Sequence, residues 1–177
     1  MIDIETDRLV LRLVPLAALA STAGLMIEVT QGLIGDKLPA EWFEEPWVYK
    51  TRYDQWLADP AFAPWSVRAI ILKSTGQIVG NMNCHHTPMP FMLGGKTSLA
   101  VEIGYTIFGG WRRQGIAFEA FNGFTAWAKA EGLEGVILSI KPANSASIGL
   151  AAKFGAVQIG SQTNAHHGIE DIYFLTL

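Results

Sequence analysis

Cysteine is almost absent from this sequence, because Cys84 is the single cysteine among 177 residues. One thiol cannot form an internal disulfide bond, and a lone cysteine is typical of proteins that fold in a reducing compartment. We therefore expect a cytoplasmic protein. Cys84 is followed directly by His85 and His86, and three consecutive residues do not have the spacing of metal ligands. The sequence therefore predicts no metal site.

Charged residues are also scarce: they make up 16% of the chain, and the formal net charge is -3. Non-specific binding to nucleic acid requires an excess of lysine and arginine, which this sequence does not have. We therefore expect no nucleic-acid partner. Half of the residues are hydrophobic, which is far from the composition of a disordered chain and predicts a folded protein with a substantial core.

The chain lacks a hydrophobic run of membrane-spanning length. The best candidate, LVPLAALASTAGLMI at 13–27, is interrupted by serine, threonine and glycine and is shorter than the roughly 20 residues that a membrane helix needs. Acidic residues precede it, whereas a signal peptide begins with a basic region. We interpret it as the start of a buried helix with Pro15 in its first turn, and we expect no membrane partner.

The sequence has no stretch rich in proline, glycine, serine or charge that would separate two domains, so we predict one domain over residues 1–177. Hydrophobic periods predict about seven strands and about four helices in the order β-α-α-β-β-β-α-β-α-β-β. This order is typical of an α+β protein, a mixed α/β arrangement whose central sheet is mostly antiparallel and is flanked by helices. The predicted strands are 8–14, 65–73, 77–86, 98–108, 136–140, 156–160 and 168–177; the predicted helices are 15–31, 47–58, 115–132 and 144–155; the segments 32–46 and 88–97 are predicted loops.

The segment WRRQGIAFEA at 111–120 lies where a predicted strand leads into a predicted helix. The first turn of a helix has backbone N–H groups without intrahelical acceptors, and it is the positive end of the helix dipole. Gly115 would let a phosphate approach the main chain, and Arg112 and Arg113 have forked donors that suit phosphate oxygens. These residues favour a diphosphate site, although a solvated turn would have the same composition.

Two common phosphate-binding motifs do not account for this segment. A P-loop requires G-x-x-x-x-G-K-[ST], but the GKT at 95–97 has Pro90 in place of the first glycine. Gly115 is followed by Ile116 instead of lysine, so it does not complete the motif either. No G-x-G-x-x-G follows a predicted strand, and a dinucleotide site is therefore not indicated.

The same segment resembles the signature of the GNAT acetyltransferases, because Arg112, Gly115 and Ala117 match its R-x-x-G-x-A form. Its surroundings resemble the RimJ/RimL-like branch of that family. Four landmarks occur in the same order over nearly the whole chain, which makes the resemblance specific. They are the signature itself, its surroundings VEIGYTIF (101–108) and FEAFNGFTAWA (118–128), the segment formed by NSAS (144–147) and KFGA (153–156), and ETDRLVLRLV (5–14).

The resemblance implies a GNAT fold, with a sheet that splays in its middle, and acetyl-CoA as the co-substrate. The pantetheine arm would lie between strands 98–108 and 136–140. Backbone groups of Tyr105, Thr106 and Ile107 would hold this arm and polarise the thioester carbonyl. The pyrophosphate would bind at the helix start, on Arg112, Arg113, Gln114, Gly115, Ile116 and Ala117.

By the same resemblance the protein is an acyltransferase, more narrowly an N-acetyltransferase. It would transfer the acetyl group directly to a primary amine, either a protein N-terminus or a small-molecule amine, so Cys84 is not required as a nucleophile. We expect a monomer or a homodimer. The alternative is a CoA-binding sensor or interaction module that has lost catalysis. The aromatic residues Trp42, Phe43 and Trp47 lie in the region that shapes the acceptor site in relatives.

Glu102 is the first candidate for the general base, because its position resembles that of the catalytic glutamate in some family members. The alternative is a structural glutamate on a solvated strand face. His86 is the alternative base, and His85 is its neighbour on what we predict to be a strand, where adjacent side chains face opposite ways. His166 and His167 lie in the final predicted turn, which borders the acceptor pocket in this fold.

The general acid is less well defined, because many relatives use a tyrosine on the last helix and this chain has none there. Ser147 occupies the serine position of the NSAS segment and is the candidate donor to the leaving thiolate. Asn144 has two interpretations: it holds the pantetheine arm, or it caps the helix that follows.

Overall fold

The computed structural model describes residues 3–35, 38–164 and 168–177. This part of the chain contains nine strands, five α-helices and three short 3-10 helices. The chain divides into two compact units. The first consists of Met1–Thr87 with Tyr105–Phe124, and the second of Pro88–Gly104 with Thr125–Leu177.

The first unit contains four complete strands in antiparallel contact: β1 (Ile4–Glu5), β2 (Leu9–Leu13), β3 (Arg68–Leu72) and β4 (Ile78–Cys84). The predicted hairpin between β3 and β4 is confirmed. Its turn is closed by a bond from the Leu72 N–H to the Gln77 carbonyl (2.9 Å). Gly76 has a φ of +71° there, a conformation that glycine adopts at little cost.

Three helices belong to the first unit: α1 (Leu16–Ala23), α2 (Ile27–Ile34) and α3 (Pro46–Ala58), with 3-10 helices at Ala40–Phe43 and Pro60–Trp65. The prediction of one buried helix over 15–31 is wrong. The chain turns at Leu25, whose φ of +54° is left-handed and cannot occur inside an α-helix. Pro15 precedes α1, and α2 is mostly exposed. The predicted helix at 47–58 is confirmed as α3.

The core of the first unit is centred on Trp42 and Tyr49, which are fully buried with ring centroids 5.1 Å apart. The Trp42 indole donates to the Thr22 hydroxyl oxygen at 3.1 Å, which satisfies its polar atom inside the core. Trp47, in contrast, is 46% exposed. Trp42 is therefore a core residue of this unit and Trp47 is a surface residue.

The second unit contains β5 (Met89–Leu93), most of β6 (Lys96–Ile107), β7 (Gly135–Ile140), α5 (Ser145–Lys153), β8 (Val157–Asn164) and β9 (Gly168–Thr176). The prediction of a loop over 88–97 is wrong, because β5 pairs antiparallel with β6. Gly94 and Gly95 both have positive φ values, +57° and +82°. Two left-handed residues in succession form the tight turn of a two-residue hairpin.

The β6–β7 contact is parallel and joins Ala100–Glu102 to Gly135–Ile137, whereas β7–β9 and β8–β9 are antiparallel. Among the described residues, the paired positions of β6 and β7 end at Glu102 and Ile137 although both strands continue. The splay implied by the resemblance stays a prediction. Phe91 stacks on Phe174 with centroids 5.5 Å apart and covers Ala100 and Ile137 in the core of this unit.

The α+β class and the mixed, mostly antiparallel strand arrangement are therefore confirmed, with more strands than predicted because β1 and β5 were missed. The last long helix, α4 (Ile116–Ala130), agrees with the predicted helix at 115–132. Its buried face includes Ala120, Phe121, Phe124 and Ala128.

In the part of the chain that the structure describes, each helix is too short or too polar to cross a membrane.

Candidate active site

The junction between β6 and α4 lies in the first unit and has an unusual backbone. After β6 ends at Ile107, a 3-10 turn over Gly109–Trp111 leads into the loop 112–115. Arg113 has a φ of +64° and Gly115 one of +78°. A left-handed arginine is strained, and such strain is typical of ligand-binding loops. A helical hydrogen bond runs from the Glu119 N–H to the Gly115 carbonyl (3.0 Å), so α4 begins directly after this loop.

Side chains hold three carbonyl groups of this junction. Arg112 Nε donates to the Ile107 carbonyl at 2.8 Å, and Gln114 Nε2 donates to the Gly110 carbonyl at 3.0 Å. Arg8, from the β1–β2 connection, donates through both Nη atoms to the Gln114 carbonyl at 3.2 and 3.3 Å. These contacts fix the orientation of the peptide groups around the predicted phosphate site.

Arg8 also connects the junction to Glu119, on the first turns of α4. Its Nε donates to Glu119 Oε2 (2.6 Å) and its backbone N–H donates to Oε1 (2.7 Å). The Thr6 hydroxyl donates to the same Oε1 at 2.6 Å. Burial by itself would raise the pKa of Glu119, but the bonds from Thr6 and Arg8 outweigh it and hold the pKa below its ordinary value. Glu119 is therefore ionised at neutral pH.

The six residues predicted to hold the pyrophosphate form one continuous stretch at this junction. The four residues from Arg112 to Gly115 are exposed, whereas Ile116 is buried and anchors the first turn of α4 in the core. Ala117 is half-buried. The loop is thus open to a ligand while the helix behind it is fixed by packing.

The end of β6, predicted to hold the pantetheine arm, is packed closely against β4. Tyr105 and Thr106 are half-buried, and Ile107 is buried. A side chain at Gly80 of β4 would overlap the Thr106 carbonyl oxygen, so glycine is needed at this close approach. The Ile107 carbonyl already accepts the bond from Arg112. The packing against Gly80 and the bond from Arg112 therefore hold the backbone of residues 105–107 in place.

Glu102 lies on β6 within the second unit, between the buried residues Val101 and Ile103. Its own side chain is half-buried, and its backbone is opposite Ile137 at the last paired position of the β6–β7 ladder. Glu102 is thus on β6, the strand on which the sequence analysis placed it. Its role as a base stays a prediction.

The structure at the start of α5 tests the interpretation that Asn144 caps this helix. Its Oδ1 accepts a hydrogen bond from the Ser147 N–H at 3.1 Å, so Asn144 caps the helix. The capping interpretation is confirmed, and a contact with the pantetheine arm stays a prediction. Ser147 is half-buried in the first turn of α5, and its role as a proton donor also stays a prediction.

His85 and His86 do not lie on a strand, because β4 ends at Cys84 and both histidines are in the bend that follows. The assumption that they alternate across a strand is therefore wrong. His86 Nδ1 is 2.7 Å from the Thr87 carbonyl. A carbonyl only accepts hydrogen bonds, so Nδ1 carries the proton and a neutral His86 would have Nε2 as its basic atom. His166 and His167 lie outside the described residues.

Cys84 is buried at the end of β4 with only 1% of its surface exposed. Burial raises the pKa of its thiol to about 12, although the nearby charges of Arg68 and Arg52 lower it. A thiol with this pKa is not ionised at neutral pH and is a poor nucleophile. Cys84 is therefore unsuited to form a covalent intermediate.

Within the described ranges, no group of three or more His, Cys, Asp or Glu residues is placed to hold a metal ion.

Comparison with known proteins agrees with this geometry. The family model described as "Acetyltransferase (GNAT) domain" matches residues 8–157, which is most of the chain. The chain belongs to the GNAT acetyltransferase family.

Solved structures with the same fold include the ribosomal-protein-S5-alanine acetyltransferase from Vibrio fischeri, which is 19% identical with a TM-score of 0.66 and coverage of 99% of this chain and 97% of that one. A second is RimL, the ribosomal L7/L12 alpha-N-protein acetyltransferase, in complex with coenzyme A (12% identity, TM-score 0.64, coverage 99% and 98%). A third is the microcin C7 self-immunity acetyltransferase in complex with acetyl-CoA and AMP (16% identity, TM-score 0.62, coverage 97% and 94%). At identities below 25%, these structures show that the chain shares their fold.

Sequence reasoning missed the contacts of Thr6, Arg8 and Glu119 in this GNAT protein. All three residues lie inside two of the quoted family landmarks, ETDRLVLRLV and FEAFNGFTAWA. The two landmarks contact each other directly through these side chains. The signal that could have suggested the pairing is opposite charge, Arg8 in the first landmark and Glu119 in the second.

Proposed function

We propose that this protein transfers the acetyl group of acetyl-CoA directly to a primary amine. The observation that carries the proposal is the start of α4, where an exposed loop with two left-handed residues, Arg113 and Gly115, precedes the first turn of a helix. Such a turn attracts phosphate through its N–H groups and its dipole. The family match over residues 8–157 supports one acetyltransferase domain that includes both units.

The residues of the junction suit the diphosphate of the donor. Gly115 places no side chain in front of the helix start, and exposed Arg112 and Arg113 supply positive charge. Backbone groups of Tyr105 and Thr106 would hold the pantetheine arm, and the close packing against Gly80 keeps them in place. Two structures of the same fold hold coenzyme A or acetyl-CoA, which supports this assignment of the donor.

The reaction requires three proton and bond changes. A primary amine has a pKa of about 10 and must lose a proton before it attacks. Its nitrogen then bonds to the acetyl carbon while the carbon–sulfur bond breaks, and the thiolate that leaves takes up a proton. We assign proton removal to Glu102 and proton donation to Ser147. Buried Cys84 takes no part, which is consistent with direct transfer.

Calorimetry with acetyl-CoA, together with thiol release over a panel of amines, tests the proposal. The panel includes peptides with a free N-terminus and small-molecule amines, because both satisfy the same chemistry. Arg112→Ala should weaken acetyl-CoA binding. Arg12→Ala is the control and should not weaken it, because Arg12 is an exposed residue of β2 whose side chain pairs with Asp3. Binding without turnover on any amine would favour the CoA-binding sensor. Absence of binding to the wild-type protein would refute both functions.

The assignment of Glu102 has its own test. Glu102→Gln should lower kcat by about 100-fold or more, the range expected for loss of a general base, with little change in acetyl-CoA binding. Glu131→Gln, at an exposed glutamate just after α4, is the matched control and should keep wild-type kcat. If the pH–rate profile of Glu102→Gln is the same as that of the wild type, Glu102 is not the base, and the same experiment on His86→Gln tests the alternative.

A further inference from the structure

Arg8 contacts the donor-binding junction from more than 100 residues away in the chain: 106 residues separate it from Gln114 and 111 from Glu119. We propose that Arg8 is a positioning residue for the diphosphate of acetyl-CoA, because it fixes the peptide between Gln114 and Gly115 and neutralises Glu119 beside the same helix start. This inference rests on the function proposed above and assigns a role to a residue outside the family signature.

The first part of the argument concerns the orientation of one peptide. Both Nη atoms of Arg8 donate to the Gln114 carbonyl, at 3.2 and 3.3 Å. No peptide bond in the described residues is cis, and in a trans peptide the C=O and N–H bonds point in opposite directions. By holding the Gln114 carbonyl, Arg8 therefore turns the Gly115 N–H away from itself. Gly115 directly precedes α4, so this N–H is added to those of the first helical turn.

The second part concerns charge. Glu119 lies one turn after Gly115, to which its own N–H donates. An ionised carboxylate so close to a helix start would repel a diphosphate. Arg8 Nε lies 2.6 Å from Glu119 Oε2, so the guanidinium charge is paired with the carboxylate. The Thr6 hydroxyl and the Arg8 N–H both donate to the other carboxylate oxygen, Oε1. The carboxylate is thus used to hold Arg8, and its charge is balanced where an anion is to bind.

The third part is that the Arg8 segment is itself fixed. Lys73 Nζ donates to the Thr6 carbonyl at 2.6 Å and pairs with Glu5 Oε2 at 3.0 Å. The Arg8 carbonyl accepts a bond from the Lys73 N–H at 2.9 Å. These contacts hold the β1–β2 connection, so that Arg8 does not have to be ordered when the ligand arrives.

The experiment compares two donors, acetyl-CoA and S-acetylpantetheine, which has the thioester and the pantetheine arm but no diphosphate. Arg8→Met should raise the KM for acetyl-CoA by about 10- to 100-fold, the range for loss of a charge-assisted hydrogen-bond donor, with kcat nearly unchanged. The KM for S-acetylpantetheine should stay at the wild-type value. Arg12→Met, at the exposed arginine of β2, is the control and should leave both KM values unchanged.

A double variant tests the charge argument. Arg8→Met leaves Glu119 unpaired beside the helix start, so Arg8→Met with Glu119→Gln should recover part of the lost affinity for acetyl-CoA. A residue that only stabilised the fold would show the reverse, because removal of a second partner would destabilise the protein further. Arg8→Lys keeps the positive charge but lacks the forked guanidinium. Its KM for acetyl-CoA should lie between those of the wild type and Arg8→Met. Arg8→Lys also serves as the test variant if Arg8→Met does not fold.

The failure of this inference is distinguishable from failure of the proposed function. If the wild-type protein does not bind acetyl-CoA, the proposed function is wrong. If the wild type binds acetyl-CoA but Arg8→Met and Arg8→Lys keep its preference over S-acetylpantetheine, the role of Arg8 is wrong and the proposed function stands. An equal loss for both donors, with no recovery in the double variant, would also overturn the role of Arg8.

Discussion

The helices α4 and α5 each begin shortly after a strand, and their first turns are organised in opposite ways. At α5, Asn144 uses its side-chain oxygen to accept the Ser147 N–H, so the chain satisfies this helix start itself. At α4, the preceding residue is Gly115, which has no side chain. The nearby side chains of Arg8, Arg112 and Gln114 donate to carbonyl groups instead.

The difference has a functional meaning. A helix start that is capped by a side chain is a stable structural element, because the capped N–H group has an acceptor before any ligand arrives. At the start of α4, side-chain donors hold the carbonyl groups and the preceding residue is a glycine. Such a helix start offers N–H groups and positive charge to an anion that binds from solvent. We infer that α5 begins in a structural cap and that α4 begins in a binding site.

The largest expected effect comes from giving α4 the cap of α5. In Gly115→Asn, asparagine tolerates the left-handed φ of +78° better than most residues, and its side chain should accept an N–H of the first turn. We expect the Kd for acetyl-CoA to rise by about 10- to 100-fold, because the cap competes with the phosphate for these groups. Isothermal titration calorimetry measures this change.

The matched control is Gly110→Asn in the same junction, where an added Cβ would have no neighbour within 4 Å. This variant should bind acetyl-CoA like the wild type. If Gly115→Asn also binds like the wild type, the α4 start does not hold the diphosphate and the contrast between the two helix starts has no functional meaning.

A smaller effect is expected when the cap of α5 is removed. Asn144→Ala should lower the free energy of unfolding by about 1 kcal/mol, the usual cost of losing an N-cap side chain, and leave the KM for acetyl-CoA unchanged. Urea denaturation and steady-state kinetics measure the two quantities. Asn144→Asp, which keeps a capping oxygen, should recover the stability. A raised KM with unchanged stability would show that Asn144 contacts the donor instead.

The smallest effect concerns pH. Because the pKa of folded Glu119 is lowered, its stabilising contribution is present at neutral pH and is lost as the pH falls from its ordinary value of about 4.3 through the lower folded value. The difference in unfolding free energy between wild type and Glu119→Gln should therefore shrink over this acidic range. The Asn144→Ala difference should stay constant there, since an amide does not titrate. A constant Glu119→Gln difference would mean that the Arg8–Glu119 pair does not stabilise the fold.

Local sequence patterns predicted much of this arrangement correctly. The period of α3, the β3–β4 hairpin and the strand-to-helix junction at 111–120 depend on neighbouring residues, so they can be recognised from short segments. The Asn144 cap was also among the predicted alternatives, since a capping oxygen acts three residues along the chain.

The failures have two physical causes. Residues 15–31 are apolar enough to resemble one helix, but Leu25 adopts a left-handed conformation that separates α1 from α2. The segment 88–97 contains glycine and proline and resembles a loop, yet Gly94 and Gly95 form a tight turn that lets β5 pair with β6. In both cases the backbone conformation at one or two residues decides the structure.

The sequence by itself determined the chemistry available at the helix start: a glycine that permits a left-handed turn, two arginines, and a helix whose first turn has N–H groups to offer. Only the tertiary structure decided which distant groups complete it. Thr6 and Arg8 reach Glu119 across 113 and 111 residues of chain, and Cys84 becomes unreactive by burial. Periodicity and spacing describe neighbours along the chain, whereas hydrogen bonds and burial depend on which segments meet in space.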